Sequence, residues 1–351
     1  MIERIKYDGF LPNSFFEIFA KIFHSNDSKT VEDKEAIISL FNLEQNRNEI
    51  YIYTDHENIR LVGIFPIDEE FAYFGFWETT NNNNLNQKAF EMLEDDVKQK
   101  SRKSIIGPIN FNTYHAYRLR LSKPCWGSFD REPENPDYYP TILEKYGFEN
   151  TMNFESRMIK SENIKDVYIE KEALLSEISK IPFNFIPLNP SVWKEYEVQI
   201  FELIQSIFKE NPFFVSISFE QFKLYYNQSF AEKLCPYSSV IFQDKATGEL
   251  ASISICHPNY SPLSIEKPVF ESDFTKLKKK VLLAKTVGVH PNYRKRGLMN
   301  FMGAYGMLSF NKYYDEIIFC LMRSDNHSLH FTDYVKYERV HYAIFKKKLG
   351  S

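Results

Sequence analysis

The stretch VGVHPNYRKRGLMNFM, residues 287–302, leaves an apolar run and gathers three consecutive cations, Arg294, Lys295 and Arg296. It then passes through Gly297 into a second apolar run. VLLAKTVGV (281–289) reads as a buried strand, and His290, Pro291 and Asn292 end it. Helical spacing begins after Gly297, with Leu298, Phe301, Met302, Tyr305 and Leu308 on one face. A strand-to-helix turn of this kind aims unpaired backbone N–H groups at one point, and the helix dipole adds positive potential there. Glycine lets a ligand approach the backbone, and the cations complete an anion site. The stretch therefore predicts a pyrophosphate-binding turn.

Composition narrows the rest. A chain of 351 residues suffices for two domains of ordinary size, and 43% hydrophobic with 26% charged residues is a globular profile. A net charge of −4 argues against a general nucleic-acid binder, so no nucleic-acid partner is expected. Cys125, Cys235, Cys256 and Cys320 show no CxxC spacing and read as reduced core thiols; no metal site is expected. MIERIKYDGF at the N-terminus lacks the apolar core of a signal peptide, and no apolar run approaches ~18 residues. The expectation is a cytoplasmic protein without a membrane partner.

The chain repeats a pattern. IYTDHENIRLVGIFPI (52–67) and IFQDKATGELASISIC (241–256) each read as strand, polar turn, strand. Each follows a helix-like run. In the second, Tyr196, Ile200, Leu203, Ile204, Ile207 and Phe208 form one face. After each hairpin come a strand, a helix and a strand: FAYFGFW, NQKAFEMLEDDVKQK and SIIGPI, then VLLAKTVGV, GLMNFMGAYGMLSFNKY and EIIFCLM. This predicts a tandem α/β repeat. A charged, then proline-bearing segment near 160–190 is the junction, and insertions sit at 110–137 and 257–280.

VGVHPNYRKRGLM is similar to the acyl-CoA signature of the GCN5-related N-acetyltransferase (GNAT) superfamily, V-x-P-x-x-R/Q-x-x-G-x-G/A. Val289, Pro291, Arg294 and Gly297 match, and Met299 stands where the pattern has Gly or Ala. The resemblance implies an α/β (α+β) chain of two tandem GNAT-like domains, each a mixed, largely antiparallel central sheet flanked by helices. The boundaries expected are a degenerate domain at 1–165, a linker at 166–185 and an acyl-CoA-binding domain at 186–351. Acetyl-CoA would be the co-substrate, held by Val287, Val289, Arg294, Lys295, Arg296, Gly297, Leu298 and Met299. Asn326 and Ser328 would touch its pantetheine arm. Tyr334 would protonate the departing thiolate.

In the first half the place of the phosphate loop reads WETTNNNNLNQKAF, with no Arg-x-x-Gly, so that copy reads as scaffold or substrate wall. The implied activity is N-acetyl transfer to an amine of a small molecule, an antibiotic or other amino metabolite. The amine must lose a proton before it attacks. The N–H of Val289 would polarise the thioester carbonyl, and Val287 would anchor the arm. Glu266, in the 257–280 insertion, is the candidate base. His257 and His290 read as structural histidines, and FTKLKKK (274–280) as a solvated face. An aminoacyl- or long-chain acyltransferase and a non-catalytic acyl-CoA sensor are the rival functions. The chain is expected to be a monomer or homodimer.

Overall fold

The computed structural model describes residues 1–24 and 32–350. Its first half runs β1 (Glu3–Lys6), α1 (Asn13–His24), α2 (Lys34–Glu44), β2 (Asn48–Thr54), β3 (Ile59–Pro66), β4 (Phe71–Thr79), α3 (Asn83–Gln99), β5 (Ser104–Gly107), β6 (Leu119–Arg120), α4 (Tyr139–Lys145) and β7 (Glu149–Lys160). The second half continues with α5 (Tyr168–Ser176), β8 (Phe183–Pro187), α6 (Pro190–Phe208), α7 (Phe219–Tyr225), α8 (Gln228–Glu232), β9 (Val240–Asp244), β10 (Leu250–Pro258), α9 (Phe270–Asp273), β11 (Val281–Val289), α10 (Leu298–Tyr313), β12 (Glu316–Arg323) and β13 (Glu338–Lys348).

The repeat is present down to its turn chemistry. In the β2–β3 hairpin, Asp55 Oδ1 accepts the N–H groups of Glu57, Asn58 and Ile59. In the β9–β10 hairpin, Asp244 Oδ1 accepts those of Ala246 and Thr247. An aspartate that satisfies the backbone of the residues after it fixes each turn.

Two compact units result. One comprises Met1–Ser122, Pro133–Asn153 and His341–Ser351; the other Lys123–Glu132 and Phe154–Val340. The expected boundaries at 165 and 186 cut the chain in order, whereas these units interleave along it. Strand pairing is the reason. In the first unit β1 to β4 form an antiparallel run, β5 pairs parallel with β4, and the closing strand of the second half, β13, pairs antiparallel with β5. In the second unit β8 to β11 are antiparallel, β12 is parallel to β11, and the closing strand of the first half, β7, pairs with β12. Each half thus lends its last strand to the other half's sheet.

Helices cover the sheets. Ala89, Phe90, Leu93 and Val97 of α3 pack with Tyr53, Leu61 and Phe74 in the first unit. In the second, Leu298, Phe301 and Met302 of α10 join Val240, Phe242 and Val289, while Met307 and Phe310 join Leu282, Ile317 and Phe319. Residues near each parallel pair are therefore set by a buried helix on one face. Of the four cysteines, Cys235, Cys256 and Cys320 are buried as expected of core thiols, but Cys125 is exposed. No helix among the described residues is long and apolar enough to cross a membrane.

Candidate functional site

The site is built on a pair of strands that part. β11 and β12 run parallel, but they pair only from Val281 opposite Glu316 to Ala284 opposite Phe319. Both then bend. On β11, Ala284 stands opposite Cys256 and Thr286 opposite Ile255, so Lys285 is an extra residue that β10 cannot match. The bulge flips side-chain parity: Leu282 and Ala284 before it, and Val287 and Val289 after it, all pack in the clusters that α10 joins. On β12 the register slips between Phe319 and Met322 against β7, where Leu321 has φ 54° and donates its N–H to Ser156 Oγ at 2.9 Å.

Beyond Ala284 the edge of β11 is no longer paired by β12. His290 donates its N–H to Ala251 O at 2.8 Å, across from β10. Hydrogen bonding alternates along an antiparallel strand, so the N–H and C=O groups of Val289 and Val287 point the other way, into the gap beside β11.

At the end of β11 comes the cationic turn. Tyr293 is buried and anchors it, donating to Glu249 Oε2 at 2.8 Å and packing edge-on against Phe183. Arg294 Nη1 meets Glu210 Oε2 at 3.0 Å, and the Arg296 guanidinium lies 5.1 Å from the Tyr293 ring centre. Lys295 and Gly297 take φ of 66° and 77°, and the second is why glycine stands there. A Cβ on Gly297 would meet nothing within 4 Å, so the space before it is open. No side chain caps α10, which leaves its first N–H groups directed at that space.

The other expected site residues are placed as follows. Leu298 is buried and Met299 packs beside it at the edge of the same cluster. Asn326 is exposed and follows β12, donating its N–H to Arg323 O at 2.9 Å; Ser328 is buried in the next turn. Glu266 is exposed, and Tyr334 is 104% exposed with φ 65°.

The first unit has the same parallel pair, closed by its own chain. β4 and β5 pair from Phe71 opposite Ser104 to Tyr73 opposite Ile106, and β4 then bulges around Phe76, whose φ is 43°. There Ile109 donates its N–H to Phe74 O at 2.8 Å, and Phe76 donates to Asn110 Oδ1 at 2.7 Å. Asn82 Oδ1 caps α3 by accepting Leu85 N–H at 3.2 Å. The backbone groups left open in the second unit are thus satisfied in the first. The sequence hinted at this only through Gly75: a Cβ there would lie 2.4 Å from Ile109 O.

A charged cluster that the sequence reading did not assemble lies on the other face of the second sheet. Lys285 Nζ donates to Asp130 O at 2.5 Å and sits 4.9 Å from the Phe129 ring centre. Asp130 Oδ2 accepts from Lys233 Nζ at 2.9 Å, with His257 Nε2 4.0 Å away. His257 Nδ1 is 2.8 Å from Pro258 O, an acceptor only, so that nitrogen carries the proton. Burial, with Lys233 and Lys285 adding to it, pushes His257 down to about 3, so the ring is neutral. Burial opposes ionisation of Asp130, yet Lys233 and Lys285 overcome it and hold the carboxyl well below the usual range. Residues 130, 233, 257 and 285 are far apart in the chain, which is why no local pattern announced them.

No family model matches the chain, and no curated protein matches it by sequence. Solved structures do. The chain is similar to a tandem GNAT protein from the clavulanic acid biosynthesis pathway, at 10% identity over 100% of this chain and 99% of that one, with TM-score 0.51. It is also similar to a probable N-acyltransferase of unknown function from Enterococcus faecalis, at 9% identity over 99% and 73% of the two chains, TM-score 0.55. A third is the GCN5-related glucosamine N-acetyltransferase region of a fungal multi-domain beta-N-acetylglucosaminidase, at 10% identity over 99% and 38%, TM-score 0.52. At such identities the likeness speaks to fold. The fold is GNAT-like and tandem, a mixed and mostly antiparallel sheet architecture flanked by helices.

Proposed function

We propose that the chain is an acyl-CoA-dependent N-acyltransferase that takes one acyl-CoA, in its second unit, and acylates the amine of a small molecule. The observation that carries this reading is the parting of β11 from β12 directly before an uncapped, cationic helix N-terminus. An extended arm needs backbone partners, and a pyrophosphate needs N–H groups and positive charge. Both are supplied in that order along one strand. Arg294, Lys295, Arg296 and the N–H groups after Gly297 would hold the pyrophosphate, with acetyl-CoA as the donor expected. Asn326 and Ser328, just past β12, would border the arm.

A bound acyl-CoA would supply an activated thioester. The chain's own groups do the rest. The turn lies beyond Val289 and the strands meet at Ala284, so the reactive end of the arm reaches deeper than Val289. We therefore assign the carbonyl-polarising N–H to Val287 and the arm contact to Val289, exchanging the roles expected from the sequence. A fixed N–H aimed at the developing oxyanion needs no reorganisation during the reaction. Tyr334 and Glu266, the acid and base expected from the sequence, are both at the surface. Their roles rest on a lowered turnover in Tyr334→Phe and Glu266→Gln with donor affinity retained.

Titration calorimetry with acetyl-CoA tests the reading. One site per chain is expected, lost in Gly297→Glu, which sets a carboxylate where phosphates must approach. Two sites, or an unchanged affinity in that variant, would contradict it.

A further inference from the structure

We propose that the acceptor carries a carboxylate beside its amine, and that Lys285 receives this carboxylate within the cluster of Asp130, Lys233 and His257. The proposal rests on the acyl-transfer reading above and names the substrate class of that same site.

The charges in the cluster do not balance. Lys233 is matched by Asp130 at 2.9 Å. Among the described residues, Lys285 has a carbonyl and an aromatic ring but no paired carboxylate. Burial first draws the Lys285 pKa down, with Arg131 and Lys233 adding to it, against the opposing pull of Asp130. His257 is neutral and its Nδ1–H is spent on Pro258 O, so it cannot compensate. Lys233 and Lys285 therefore share the one carboxylate of Asp130, with desolvation the leading influence on Lys285, Asp130 and His257 alike. An under-compensated charge in such surroundings is costly, and an incoming anion relieves it.

The cluster is also reachable. The Asp130 side chain keeps 43% of its surface, so a solute can approach the carboxylate that Lys233 and Lys285 hold ionised. Lys233 occupies Oδ2, and Asp130 Oδ1 can accept an ammonium N–H. A molecule with both charges a few bonds apart, a short amino acid, fits this pair of groups.

Position ties the cluster to the reaction. Lys285 is the bulged residue of β11, two residues before Val287, whose N–H faces the parted edge. Two residues span about 7 Å of strand, the reach of one amino acid. Held by Lys285 and Asp130, the substrate amine gives one proton to water and its nitrogen bonds the thioester carbonyl carbon. The C–S bond breaks, the thiolate takes up a proton, and the nitrogen loses its second proton to leave an amide. Asp130 favours the ammonium that binds, while Lys233 and Lys285 beside it oppose that charge and ease the loss of the proton that this step requires.

The test follows thiol release from acetyl-CoA by the full chain. Each of the common amino acids is compared with its amide and its decarboxylated amine, and O-phosphoethanolamine with ethanolamine. At least one amino acid should exceed its amide by about tenfold or more in kcat/KM, through KM, as loss of a charged hydrogen-bond partner implies. In Lys285→Met that ratio should fall toward one while acetyl-CoA still binds; Lys285→Arg should keep much of it. Calorimetric titration of the same amino acid without donor should show the same dependence. Preference for the decarboxylated amine or the phosphate, an unchanged ratio in Lys285→Met, or no amino acid acylated by protein that binds acetyl-CoA would each overturn the assignment and leave the donor site standing. Failure to bind acetyl-CoA would remove the acyl-transfer reading and this assignment with it.

Discussion

Ile109 donates its backbone N–H to the carbonyl of Phe74 at 2.8 Å, and this one bond marks how the two units differ. It fills, in the first unit, the gap beside a bulged strand that stays open beside Val287 and Val289 in the second. Gly75 makes the approach possible, because any Cβ there would lie 2.4 Å from the Ile109 carbonyl oxygen. Gly75→Ala should therefore destabilise the first unit by about 1–3 kcal/mol through overpacking against backbone. Acetyl-CoA affinity, a property proposed for the second unit, should not change. Denaturant unfolding and calorimetry read the two separately. A weakened donor affinity at unchanged stability would mean that the first unit's gap takes the ligand.

Arg294 must exchange partners if it serves a pyrophosphate. It now meets Glu210 at 3.0 Å, with side chains 45% and 69% exposed. An exposed pair is worth little, and the competing carboxylate lies beside the turn proposed to hold the phosphates. Glu210→Gln should tighten acetyl-CoA binding about twofold to fivefold, the size of such a pair. Arg294→Ala should loosen it, and added salt should weaken the wild type more than that variant. Equal salt slopes in the two proteins would take Arg294 out of the donor site.

Glu78 offers a pH readout of the first unit. Burial pushes its carboxyl up to about 8, against the pull of Arg60 and of Tyr139, whose hydroxyl donates to Oε2 at 2.8 Å. An unfolded glutamate ionises near 4.3. Between those values the folded state holds a proton that the unfolded state has released. This group's contribution to stability is therefore complete below about 4.3 and is lost as pH rises to about 8, by about 1.4 kcal/mol per pH unit. Glu78→Gln keeps an acceptor for Tyr139 and removes the titration. Its stability relative to wild type should rise steadily from pH 5 to pH 8 and then level off. Parallel profiles for the two proteins across that range would refute the shift.

What the sequence could tell was set by range. The turn at 291–297 is local: a proline ends the strand, three cations follow, and a glycine supplies φ 77°. All of that is written in adjacent letters. The hairpins were equally plain, because Asp55 and Asp244 act on the residues that follow them. The bulge at Lys285 was hidden, since it exists only as a mismatch between β11 and β10. So was the Asp130 cluster, whose members meet only when residues 123–132 join the second unit. The exchange of closing strands lies furthest from local signal. Both β7 and β13 have strand-like sequences, and nothing in them says which sheet they complete.

That exchange gives the last prediction. Deleting residues 341–351 removes the part of β13 that pairs with Ser104–Gly107 of β5. It also takes Ala343 and Phe345 out of the first unit's core, where Phe345 is 2% exposed. Loss of one buried Phe alone costs about 3–5 kcal/mol, and the deletion also strips the hydrogen bonds from one edge of β5. The damage should therefore appear in the half that does not encode the strand. Hydrogen exchange should show lost protection at Ile105, Ile106 and the neighbouring β4, while amides of β10 and β11 stay protected. If β13 instead stabilised the half that encodes it, β11 and β12 would lose protection first and β5 would keep its own.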